Sequence, residues 1–152
     1  MQIETLKDVI QWTKDFHQRL ATCMAHCANE QLNERGSFLL NYLADHEQKL
    51  SSVLQAFEDS ADLKALNTWC YEYLDKTPIK PHVTCDKPFA EMTTEEIIGE
   101  IEAQHQQIIA LYRYLVGRAD IPSAIELLEQ LATLEEHEAM RMAHGANRLE
   151  DL

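Results

Sequence analysis

Glu102-Ala103-Gln104-His105 lies inside the apolar run from Ile97 to Val116. A Glu and a His three residues apart stand on nearly the same side of a helix, one turn apart. Here that side is also the apolar one. Ile98, Ile101, His105, Ile108, Tyr112 and Leu115 keep a three-four spacing, the pattern of a core-facing seam. A carboxylate buried on such a seam is costly unless it is paired, protonated or metal-bound. The stretch therefore predicts a helix packed into a helical core, with either a partner for its polar pair on a neighbouring helix or a metal.

Outward from this stretch the chain reads as three more long helices. A first helix is expected from about Glu4 to Glu30, with Leu6, Val9, Ile10, Phe16, His17, Leu20 and Met24 on its apolar stripe. A short connection at Leu32 to Arg35 follows, with Asn33 as a cap. The second helix runs to about Glu58 on an inner face of Leu39, Leu40, Leu43, Leu50 and Leu54. His46 and Glu47 both fall within that face, about 100° apart, so only one points straight at the centre. The third helix starts at Thr93 or Thr94, where Thr93 and Glu96 form a capping box, and ends near Gly117. After a turn at Arg118 to Pro122, a fourth helix spans about Ser123 to Glu150. Glu135 and Glu138 occupy apolar-stripe positions on it.

Residues 59–93 differ in texture. Ala61 to Leu74 is expected to form a shorter helix carrying Trp69, Tyr71 and Tyr73, and Pro78, Pro81 and Pro88 then break helical structure. The segment is too long for a hairpin and reads as a crossover. The fold class is all-α: a single domain over residues 1–152, an antiparallel four-helix bundle of two helical hairpins joined by this crossover. Beyond the two hairpins the chain shows no internal repeat.

The hairpins permit a test of level. A first turn centred near residue 32 places His17 opposite residue 47. A second turn centred near residue 120 places Glu102 opposite Glu138, and His105 opposite Glu135. His17, His46, Glu47, Glu102, His105, Glu135 and Glu138 are thus candidates for one polar layer inside the bundle. Carboxylate oxygen suits a hard ion and imidazole a borderline one, which is the ligand set for iron or manganese. Without a metal, several carboxylates in one layer repel and are forced to protonate. The other reading is a set of buried or half-buried ion pairs, with Arg141 serving Glu138 and Lys49 or Arg19 serving Glu47.

Composition narrows the function. The formal charge is −13 over 152 residues, which argues against nucleic acid or an anionic membrane as partner. No apolar run is long enough to span a bilayer, and the N-terminus lacks the features of a signal peptide, so a cytoplasmic protein is expected. Cys23, Cys27, Cys70 and Cys85 include no Cys-x-x-Cys pair, which removes a zinc ribbon or a rubredoxin-type iron centre. No Gly-rich phosphate loop or G-x-S-x-G elbow is present.

In its two long hairpins, extended crossover and Glu102-x-x-His105 motif, the chain resembles the ferritin-like superfamily, in particular small rubrerythrin-like and bacterial stress-protein members. That family's di-iron pattern has a lone Glu on the first helix of each pair and Glu-x-x-His on the second. This chain has His17, Leu43-x-x-His46, Glu102-x-x-His105 and Glu135-x-x-Glu138 with Arg141 beyond. The resemblance implies an iron cofactor, di-iron or with manganese or a single metal as variants. It implies peroxide or oxygen reduction, or ferrous iron oxidation, with electrons from another protein or a small reductant. A homo-oligomer, as a dimer, is the expected assembly. The competing reading is a metal-free helical interaction or stress-response module, with Trp69, Tyr71 and Tyr73 as its contact surface.

Overall fold

The computed structural model describes residues 4–70 and 88–150. Four long helices dominate: α1 (Leu6–Glu30), α2 (Glu34–Ser60), α5 (Thr94–Arg118) and α6 (Pro122–Glu150). Two four-residue helices, α3 (Leu63–Leu66) and α4 (Pro88–Glu91), flank the crossover. Local chemistry sets the ends. Thr5 and Thr93 each accept from the backbone N–H three residues on, while Asp8 and Glu96 reach back to the cap N–H groups. These boxes satisfy donors that every helix start leaves without a partner. Asn33 Oδ1 accepts from the Arg35 N–H at 3.0 Å and opens α2 as expected.

The crossover differs from its sequence reading. Of the helix expected over Ala61–Leu74, the part that falls among the described residues, up to Cys70, is helical only at Leu63–Leu66, capped by Asp62. Beyond it the chain straightens and pairs with the entrance to α1. The Leu6 N–H donates to the Thr68 carbonyl and the Cys70 N–H to the Glu4 carbonyl, both at 2.8 Å. This pairing turns the backbone bonds of 68–70 away from the helix ladder and leaves Trp69 69% exposed. Tyr71, Tyr73, His82 and Cys85 lie outside the described residues.

At the far end, Gln31 Nε2 donates to the carbonyls of Phe89 (3.0 Å) and Met92 (3.1 Å). The crossover therefore leaves beside the start of α1 and returns beside the α1–α2 turn. It has travelled the bundle lengthwise. In consequence α2 and α5 run parallel, α1 and α6 run parallel, and each hairpin is antiparallel within itself.

That topology puts four residues at one height. His17 lies 11 residues from the near end of α1, and Glu47, His105 and Glu135 each lie 13 residues from the near ends of their helices. At about 1.5 Å per residue, all four stand roughly 16–20 Å from the same end of the bundle. Above and below, the core is mainly apolar, filled by residues such as Leu6, Leu40, Leu54, Ile97, Ile108 and Leu128. Among the described residues, no helix is long and apolar enough to cross a membrane.

Gly145 on α6 is half-buried and serves a close approach. A Cβ there would stand 1.7 Å from the Tyr42 hydroxyl, which donates to the Arg141 carbonyl. Gly99, also helical, has open space at its Cβ position. Gly99→Ala is expected to stabilise the fold by roughly 1 kcal/mol, the helix-propensity gain. Gly145→Ala is expected to destabilise it, and to become stabilising when Tyr42 is first trimmed to Ala. Urea unfolding of the four variants measures this, and the same sign for Gly145→Ala in both backgrounds would refute it.

Candidate metal centre

His17, Glu47, His105 and Glu135, one from each long helix, form a fully buried polar layer. Their contacts chain together. His17 Nδ1 meets Glu47 Oε2 at 2.6 Å, and His17 Nε2 meets Glu135 Oε1 at 2.8 Å. His105 Nε2 bonds to the other Glu47 oxygen, Oε1. The two imidazole rings stand edge to face, 5.5 Å between centroids. One ligand atom each from His17, Glu47 and His105 lies within 4.8 Å of the others. His105 Nδ1 and Glu135 Oε2 are buried and have no hydrogen-bond partner.

The charges settle each other. Burial opposes a charge on His17, but Glu135 and Glu47 beside it overcome this and raise its pKa from 6.5 to about 10. Burial likewise opposes the Glu47 carboxylate, yet His105 and His17 hold its pKa down from 4.5 to about 2. His105 is raised as well: burial works against its charge, Glu47 works for it, and the neighbouring His17 works against it. One layer away, the buried Tyr112 hydroxyl and Thr13 Oγ1 are 2.7 Å apart, and Thr13 donates to the Ile10 carbonyl. Burial and the proximity of Glu135 push the Tyr112 pKa well up.

Of the seven residues singled out in the sequence, four meet in this layer and three do not. Glu102 is exposed. The buried arc of α5 lies to the other side of His105, over Gln104, Ile108 and Leu111, and Glu102 sits about 60° past His105 on the open side. Its expected pairing with Glu138 is not made. Glu138 is half-buried on the α2 side, 3.9 Å from His46 and 3.3 Å from Arg141. His46 stacks on Tyr42 at 4.5 Å, outside the layer. Glu47 is therefore the inward residue of α2.

The layer also exposes a repeat that the sequence reading missed. Leu39-Leu40-x-x-Leu43-Ala44-x-x-Glu47 recurs as Leu127-Leu128-x-x-Leu131-Ala132-x-x-Glu135, and all ten residues are buried. The offset is 88 residues. It also carries Thr5 onto Thr93 and His17 onto His105, so both caps and both imidazoles coincide. Comparison of the chain with itself at this offset was the signal. Under this correspondence the His17–Glu135 contact maps onto His105–Glu47, and both are made. The His17 Nδ1–Glu47 Oε2 contact maps onto His105 Nδ1–Glu135 Oε2, the two atoms without partners.

A small apolar crevice leads inward between α5 and α6. Ile98, Ile101, Met142 and Ala143 help to line it, Glu102 stands along it, and His105 forms part of its wall. It has room for about one water molecule.

No protein family matches the chain, and no curated protein does. A solved structure matches it along 97% of both chains, with a TM-score of 0.63 and 11% identity. It is a protein from Thermotoga maritima, provisionally named as a ferritin-like diiron-carboxylate protein. The chain thus has the ferritin-like fold, and the metal is a separate question. The buried donors fit one: they combine carboxylate oxygen with imidazole, and each kind includes a buried atom without a partner.

The raised His17 stabilises the metal-free fold fully below about pH 6.5, and this is lost as pH climbs through about 10. The depressed Glu47 stabilises it fully above about pH 4.5, and this is lost as pH falls through about 2. Chelator-treated protein is therefore expected to melt at its highest temperature between about pH 4.5 and 6.5, with a declining alkaline limb. Thermal melts across pH check this. An alkaline limb equally steep in His17→Gln would contradict it.

Proposed function

We propose that this protein is a metal-dependent redox protein on the ferritin-like fold, its bundle core taking iron, or manganese in its place. The carrying observation is the buried layer of two imidazoles and two carboxylates, drawn from four helices and holding two polar atoms without partners. His17, Glu47, His105 and Glu135 are the residues that would hold the metal. When bound, such an ion supplies an exchangeable coordination position and a one-electron couple for peroxide or oxygen reduction, or for ferrous iron oxidation.

The surrounding chain supports a small reactant. The crevice beside His105 is narrow and lined mainly by apolar residues, which suits a reactant of a few atoms and not an organic substrate. Electrons would come from a separate reductant protein, and a homodimer in the cytoplasm is the proposed setting. The buried thiols of Cys23, Cys27 and Cys70 are consistent with that compartment.

A second reading has its own support. His17 already uses both ring nitrogens on carboxylates, as a self-contained ion-pair network would. On that reading the layer is structural and the protein acts through its surface.

Metal analysis separates the two. Protein expressed in medium supplemented with iron and manganese is expected to retain metal through desalting, and to lose it in His17→Ala and in Glu47→Gln. The metal-loaded parent is expected to consume peroxide or oxidise ferrous iron faster than these variants. A folded, metal-free parent would leave the structural reading standing.

A further inference from the structure

The neighbouring structure is named for a pair of irons, but the buried charge in this chain points elsewhere. Glu47 and Glu135 are the only buried carboxylates among the described residues. With neutral imidazoles they supply two negative charges, which balance one divalent ion. A second ion would leave two positive charges in a layer bounded by apolar residues and by the uncharged Thr13 and Tyr112 hydroxyls. The other two carboxylates singled out in the sequence stand apart. Glu102 is exposed, and Glu138 is already engaged with His46 and Arg141 on the bundle's flank.

The repeat agrees. Each half of the chain contributes one His and one Glu at matching positions, 88 residues apart. The halves bring equal shares to one layer, and neither half holds a carboxylate pair of its own there. Glu47 touches both imidazoles, so the donors of the two halves already mix.

We propose that the layer is a mononuclear site, in which His17 and Glu47 from one half and His105 and Glu135 from the other share a single divalent transition-metal ion. This rests on reading the layer as a metal centre, and it departs from a bridged pair. Glu138, His46 and Glu102 take no part in holding the ion.

Manganese(II) alone, titrated into the full-length apoprotein and followed by equilibrium dialysis and electron paramagnetic resonance, tests it. One equivalent per chain with the six-line signal of an isolated ion is expected. Glu102→Gln, His46→Gln and Glu138→Gln are expected to keep that equivalent and that signal. Glu135→Gln, checked for folding by circular dichroism, is expected to bind at least tenfold more weakly. Two equivalents with an exchange-coupled signal would overturn the single-ion site and leave the metal reading intact. So would loss of metal from Glu138→Gln or His46→Gln. No binding to the folded parent would overturn the metal reading itself, and the single-ion site with it.

Discussion

His17 between Glu47 and Glu135 is the contact on which the bundle turns. It ties α1 to α2 within the first hairpin and to α6 in the second, with all three side chains fully buried. An unpaired charge at this depth costs several kcal/mol, so each of the three groups requires the others. Hydrophobic burial presses helices together without fixing their register. The polar layer fixes it, because sliding one helix by a turn, about 5.4 Å, would strand a carboxylate among leucines. Specificity of this kind is the best-attested use of buried polar groups in helical assemblies.

The lengthwise crossover is the second constraint. A short connection would have made α2 and α5 antiparallel, and the near-equal distances of the four residues from one end would vanish. Gln31 is central here. Its single side-chain amide holds two carbonyls at the point where the crossover returns, and so sets where α5 begins relative to the α1–α2 turn. The shared height of His105 and His17 is inherited from that placement.

Much of this was legible in the sequence, because much of it is local. Helices, caps and the Asn33 turn follow from periodicity and from groups within four residues of one another. The level argument also succeeded for His17 and Glu47, since a hairpin's geometry is nearly determined by its turn. What failed was fine angle and long range. Glu102 shares a side with His105 only in the coarse sense, and the centre of the buried arc, set by packing, lies the other way. His46 and Glu47 were inseparable on α2 alone, but the leucine-alanine-glutamate pattern repeated on α6 distinguishes them. The extended run at Thr68–Cys70 was hidden because its hydrogen-bond partners are more than sixty residues away in sequence.

The repeat has a consequence for assembly. A chain of half this length, bearing one threonine cap, one histidine and one glutamate at these intervals, would need a second copy to complete the layer. Its folding would then depend on concentration. Joining the halves converts that encounter into an intramolecular one, whose effective concentration is set by the connecting segment and not by the amount of protein. The four polar residues are therefore held together even when the protein is scarce, and dilution alone has no means of separating one imidazole–carboxylate pair from the other.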